Sequence, residues 1–353
     1  MRRARPLLRV GLGTGVSVLF IALLLRRVDL STVGSAIADV EVAWLLAAAP
    51  VYALALWARA ERWRLVLRPA LRISSRDATA LVVIGYTANN LLPARAGEVV
   101  RAVLLQRRTG AARLTVLGTI VVERVLDGLV LALFLPLPLL LGGRNDVLDA
   151  LAVIGGLGFL ALAGAIVLLG THPALMRRLI DRALGLTPAR LRLPLRAWSE
   201  SFLAGLSLVR GRRAWAAVTA MTALSWLLEA ATYWLVGLAF GLELAPWLYL
   251  GVAGAANLAI AAPSTAGGIG PFEYFARTVL VVFGAGLATA TAYALVLHAL
   301  LIIPTTLAGL VLLWREQIGL GALRRQAEGD AAPADPHVGG QLASVLPPRE
   351  HSG

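Results

Sequence analysis

The chain has 353 residues, 58% hydrophobic and only 15% charged, with a mean hydropathy of +0.77, which excludes an ordinary soluble domain and a disordered chain. Its 33 basic residues against 20 acidic give +13, and every basic one is Arg, clustered in short loops beside apolar runs; this fits positive-inside topology and affinity for anionic lipid, not nucleic acid. With no Cys there is no disulfide framework and no thiolate metal site.

"MRRARPLLRV" leads into an apolar run at about 7–25. That run is of spanning length and ends well before the small residues at 35–38, so a retained signal anchor is expected over a cleaved signal peptide. Placing Arg-rich loops inside puts the N-terminus in the cytoplasm. "RRVDLSTVGSAIADVE" is then a short outer connection, with Arg26 and Arg27 against the rule. A second span, about 42–58, returns to "RAERWRLVLRPALRISSR". There Arg59, Glu61, Arg62 and Arg64 read as side chains snorkelling to head groups.

The stretch "YTANNLLPARAGEVVRAVLL" follows. Residues 78–92 supply about 15 residues before Pro93, or ~22 Å of helix, too short for a ~30 Å hydrocarbon core. The piece at 98–105 is shorter still, and both flanks are basic. A re-entrant hairpin entered from inside is expected, broken at "LPARAG" and tolerated only where it is buried in protein or lines a polar cavity.

A third span at about 115–141 carries "ERVLD", and a fourth at about 147–169 returns to a basic segment at 171–213. Within that segment "ALMRRLIDRALG" has the spacing of a surface helix. The fifth span is about 214–240. Residues 247–262 and 272–283 flank "PSTAGGIGPFE" as a second re-entrant hairpin, entered from outside, and the last span is about 287–314. The expected fold is an all-α polytopic membrane domain over 1–314, with six full spans, two broken-helix hairpins and both termini cytoplasmic. The tail at 315–353, rich in Pro, Gly and Ala, is expected to be disordered.

The two breaks align. Asn90, Pro93, Gly97, Glu98 and Arg101 match Asn257, Pro263, Gly270, Glu273 and Arg277, with opposite sides of entry, which suggests an inverted-topology repeat of about 42–141 and 214–314. Glu98 lies 25 residues before Glu123, and Glu273 lies 25 before His298. Discontinuous helices in inverted repeats are a transporter arrangement. Half-helices starting near Gly97 and Gly270 present free N–H groups and positive dipole ends, an anion site to which Arg95 adds a guanidinium suited to phosphate.

Structural readings stand beside the functional ones. Glu98 and Glu273 either cap first-turn N–H groups or serve as ligand or proton groups. Arg101 and Arg277 read as their helical partners at i+3 and i+4. Asn89, Asn90 and Asn257 either satisfy broken backbone or bind ligand. Glu123, Arg124 and Asp127 form a nearly self-neutral trio, either structural or part of a pathway. Glu229 has no local partner, and His298 reads as a hydrogen-bonded packing residue before a ligand. "TAGGIG" lacks the following Lys of a nucleotide loop.

With "NNLLPARAGEVVRAVLL", "ERVLD", "PSTAGGIGPFE" and "RAERWRLVL", over about 7–314, the sequence resembles the flippase-like transmembrane region of the lysylphosphatidylglycerol synthase (multiple peptide resistance factor) family. The resemblance implies movement of an anionic lipid, such as an aminoacylated phosphatidylglycerol, between leaflets of a bacterial plasma membrane. It points to Asn90, Pro93, Arg95, Gly97, Glu98, Arg101, Glu123, Arg124, Asp127, Gly267, Gly268, Gly270 and Glu273. Only about 39 residues follow Trp314, too few for the soluble aminoacyl-transfer domain of bifunctional members. A translocator without catalytic residues, metal or cofactor is therefore expected, its partner an anionic membrane lipid, with a second copy or a separate lipid-modifying enzyme as further partners. The alternatives are a membrane transferase using a polyprenyl phosphate, ranked lower because no DxD pair is present, and a non-transporting partner subunit.

Overall fold

The computed structural model describes residues 4–26, 28–92, 96–137, 146–171, 178, 180–182, 189–206, 208–209, 211–260 and 266–315. Pro93, Arg95, Pro263, most of the expected surface helix at 174–185 and the tail at 316–353 lie outside the described residues. All described secondary structure is helical: α1 (Ala4–Leu25), α2 (Leu30–Ala38), α3 (Val42–Leu67), α4 (Ser75–Leu91), α5 (Gly97–Thr109), α6 (Arg113–Phe134), α7 (Asp146–Thr171), α8 (Ala189–Leu206), α9 (Arg212–Ala239), α10 (Leu248–Ala259), a 3₁₀ turn (Ala266–Gly268), α11 (Pro271–Val282) and α12 (Leu287–Arg315). Among the described residues α3, α9 and α12, of 26, 28 and 29 residues, are each long and apolar enough to cross a bilayer. This is a multi-pass α-helical membrane protein.

Local chemistry sets the helix ends. The Ser74 hydroxyl accepts the Asp77 N–H at 3.0 Å to start α4. Leu92, the residue before Pro93, is extended at φ −111°, ψ 142°, which stops it. α5 ends on Gly110 at φ +74°, whose N–H returns to the Gln106 carbonyl. Pro271 opens α11, where the Glu273 carboxylate accepts the Gly270 N–H at 2.7 Å.

The most extensive contact is α3 against α9. Around it α4 packs on α12 and α10 on α6, while α2 packs on α12 and α8 on α6. Two of these crossings are close. A Cβ on Gly309 of α12 would lie 1.9 Å from the Thr87 hydroxyl of α4, and one on Gly254 of α10 would lie 2.8 Å from the Leu135 nitrogen beyond α6. Small residues of this kind let membrane helices approach, because apolar burial gives them little preference over lipid. One buried cluster gathers Trp226, Tyr233, Tyr249, Phe272 and Tyr293; a second surrounds Trp63, Leu81, Ile84, Leu105 and Ile120.

One sequence expectation is corrected. The second span does not end near residue 58 but continues as helix to Leu67, carrying Arg59 and Arg62 into the protein interior. The basic segment after the fourth span contains α8, a helix packed on α6.

Candidate functional site

The break between α4 and α5 is built around two glycines. A Cβ on Gly97 would sit 2.0 Å from the Gly85 carbonyl oxygen, so only glycine permits the half-helices to cross there. The Gly97 N–H donates to Asn89 Oδ1 at 2.8 Å. Asn90 Nδ2 donates to Thr306 Oγ1 at 3.0 Å, fastening the end of α4 to α12.

Beside this crossing is a small cavity lined by Val82, Gly85, Tyr86, Asn89, Gly97, Glu98, Arg101 and Arg124. Three buried polar atoms there, Glu98 Oε2, Arg101 Nε and Arg124 Nε, have no hydrogen-bond partner among the described residues. Such atoms are costly unless something satisfies them. Glu98 does not cap Gly97 and does not hold Arg101; Asn89 takes the first role and Glu123 the second. The expected i+3 partnership is thus corrected.

Behind the cavity runs a network of buried charge. Arg101 donates to Glu123 Oε2 at 2.9 Å, its guanidinium 4.1 Å over the Trp63 ring. Arg62, 1% exposed, forks between Glu123 at 3.2 Å and Asp127. Trp226 Nε1 donates to Asp127 Oδ1 at 2.9 Å, and Arg124 stands 3.7 Å from the same carboxylate. With Glu98 included, Arg62, Arg101 and Arg124 face Glu98, Glu123 and Asp127, three cations against three anions.

A second pair adjoins it: Arg59 binds Glu229, with its guanidinium 4.5 Å over the Trp226 ring. Glu229 Oε1 also accepts from the Tyr233 hydroxyl at 2.9 Å and from Asn257 Nδ2 at 3.2 Å. Glu229 is therefore fully partnered, its charge partner coming from α3 and not from its own helix. Arg59 and Arg62 are interior ion-pair residues, not snorkelling groups, because the carboxylates that compensate them come from α6 and α9. α3 is buried without a gap from Ala58 to Trp63, so no one-sided stripe marked them.

At the second break Glu273 pairs with His298 Nδ1 at 2.6 Å, and His298 Nε2 lies 3.0 Å from the Gly267 carbonyl. Gly267 and Gly268, both at φ +74°, and Gly270, at φ +100°, shape the turn. Arg277 does not pair with Glu273. It reaches the Leu23 and Leu24 carbonyls of α1 and lies over the Tyr274 ring. The structure thus brings Asn89, Gly97, Glu98, Arg101 and Arg124 to the first cavity, and Gly267, Gly270, Glu273 and His298 to the second break. Arg277 and Glu229 belong to neither.

The family described as lysylphosphatidylglycerol synthase TM region matches residues 10–309. A relative in Haloferax volcanii, described as glycosyltransferase AglD, is 29% identical over 320 residues, 82% of this chain and 50% of that protein. The chain spans about half the length of this curated relative.

Proposed function

Because the chain belongs to the family of the lysylphosphatidylglycerol synthase transmembrane region, we propose that it binds an anionic lipid or lipid-linked phosphate at the α4–α5 break and carries the head group between leaflets of the plasma membrane. The observation that carries this reading is the cavity where Arg101 Nε and Arg124 Nε stand buried beside a half-helix N-terminus with no hydrogen-bond partner among the described residues. The acyl chains stay in the bilayer. Alternating access follows from an inverted repeat of α3–α6 and α9–α12. The packing supports that repeat: α4 lies on α12 as α10 lies on α6, and α2 and α8, which precede the two repeats, each pack on the last helix of the other. With Arg-rich loops inside, both termini face the cytoplasm.

A second reading has its own support. The Haloferax relative is named a glycosyltransferase, and the family name is also that of a transferring enzyme; both names weigh toward a membrane transferase, for which we take a polyprenyl phosphate as the substrate. The cavity serves either reading, since each places a lipid phosphate between the same arginines. Proteoliposomes holding fluorescent phosphatidylglycerol or polyprenyl phosphate separate them. The first reading expects leaflet exchange by the wild type that is lost in Arg124→Gln. Sugar transfer from a nucleotide sugar without leaflet exchange would establish the second, and neither activity would reject both.

A further inference from the structure

The two breaks meet at the 3₁₀ turn. A Cβ on Gly267 would lie 3.9 Å from the Asn90 carbonyl oxygen at the end of α4, and Asn90 is itself tied to Thr306 of α12. His298, on α12, grips the same turn. Its Nε2 is 3.0 Å from the Gly267 carbonyl oxygen, which can only accept, so Nε2 carries a hydrogen. Its Nδ1 is 2.6 Å from Glu273 Oε1, a contact that needs a hydrogen on one side or the other. Glu273 Oε2 is already the acceptor for the Gly270 N–H at 2.7 Å. The ring and the carboxyl together therefore hold two hydrogens, one more than a neutral imidazole beside a carboxylate.

We infer that Glu273 and His298 form a proton-binding site whose occupancy fastens the second break to α12. The ligand is a single proton, shared across the Nδ1–Oε1 contact. Removing it sets two lone pairs against each other, either at that contact or between Nε2 and the Gly267 carbonyl. In a water-poor interior neither arrangement is compensated, and the grip on the turn is lost. The surroundings suit a charge-sharing pair. Phe272 stacks on the imidazole with centroids 4.2 Å apart, and Glu273 and His298 are only 4% and 6% exposed. From α9 the Tyr233 ring meets Phe272, and its hydroxyl is committed to Glu229. α1 brings Ser17 and Phe20 to Gly270, α4 brings Asn90, and the Arg277 guanidinium on α11 is turned to the α1 carbonyls. The inference stands under either reading of function, since it concerns closure of the break and not the cargo.

The absence of Cys from the sequence makes the test direct. Ala266→Cys places a sole thiol on the turn, and its maleimide labelling rate in nanodiscs is compared with the same cysteine in Glu273→Gln. In that variant the amide donates to Nδ1 and accepts from Gly270, so every bond is made without the extra proton. The closed state holds one proton more, so closure is complete at low pH and lost as pH rises. The rate ratio, wild type over variant, is expected to be near one in acid and to climb by up to about tenfold per pH unit above the midpoint. A ratio constant from about pH 5 to 9 overturns the inference. Ring ¹⁵N signals of His298, assigned by their loss in His298→Gln, give an independent check. A ring nitrogen that loses its hydrogen as the ratio climbs supports the site; an imidazole holding one unshared hydrogen throughout overturns it.

Discussion

At the residue scale the protein separates charges that hold it together from charges left for something else. Arg59 and Glu229 are buried together, with Tyr233 and Asn257 completing the carboxylate's bonds. Taking one partner from such a pair strands the other without water, which costs about 3–5 kcal/mol, whereas removing both charges is close to neutral. Thermal unfolding in detergent should therefore find Arg59→Met strongly destabilised and Arg59→Met with Glu229→Gln substantially recovered. Additive losses would show that the pair is not the compensated unit its geometry describes. Glu98 is the contrast: its Oε2 has no partner among the described residues, so Glu98→Gln should cost far less stability. The sequence showed only that Glu229 has no charge partner on its own helix, because helical i+3 and i+4 rules see only local neighbours. Arg59 and Glu229 are 170 residues apart, and nothing local in either segment announces the other.

At the element scale, glycine sets how closely the broken helices approach. Gly97→Ala would push a methyl to 2.0 Å from backbone of α4, where no side chain can swing away. The expected loss lies at or beyond the upper end of the ~1–3 kcal/mol range for overpacking. Gly158 on α7 has no heavy atom within 4 Å of a built Cβ, so Gly158→Ala should raise stability by about 0.5–1 kcal/mol through helix propensity alone. Equal effects of the two substitutions on the unfolding midpoint would contradict this account of the crossing. Both breaks were legible in the sequence because Pro and Gly interrupt apolar runs too short to span. Most helix ends followed within a few residues, as with α9 at Arg212–Ala239 against an expected 214–240, whereas α6 ends at Phe134 against an expected 141. The inner end of α3 was not legible: an Arg cluster after an apolar run looks like a loop under the positive-inside rule, and only the tertiary partners of Arg59 and Arg62 keep it helical and buried.

At the scale of the whole molecule, large apolar side chains face outward on several helices. Leu46 is 70% exposed, Ile154 72% and Trp314 80%, a surface that belongs against acyl chains. Inside it the charged network connects α3, α5, α6 and α9, and the cavity opens where that network meets the first break. Family membership and the multi-pass body were legible because several motifs recur together. The function was not, since a fold and its site are separate inheritances. What both functional readings share is a lipid phosphate at the α4–α5 break. The most direct measurement is photo-crosslinking in nanodiscs with phosphatidylglycerol carrying a head-group diazirine, read by peptide mass spectrometry. Adducts on the lining segments around Val82–Asn89, Gly97–Arg101 and Arg124, competed by unlabelled anionic lipid, are the predicted result. Adducts confined to the outward faces of α7 and α12 would contradict the account.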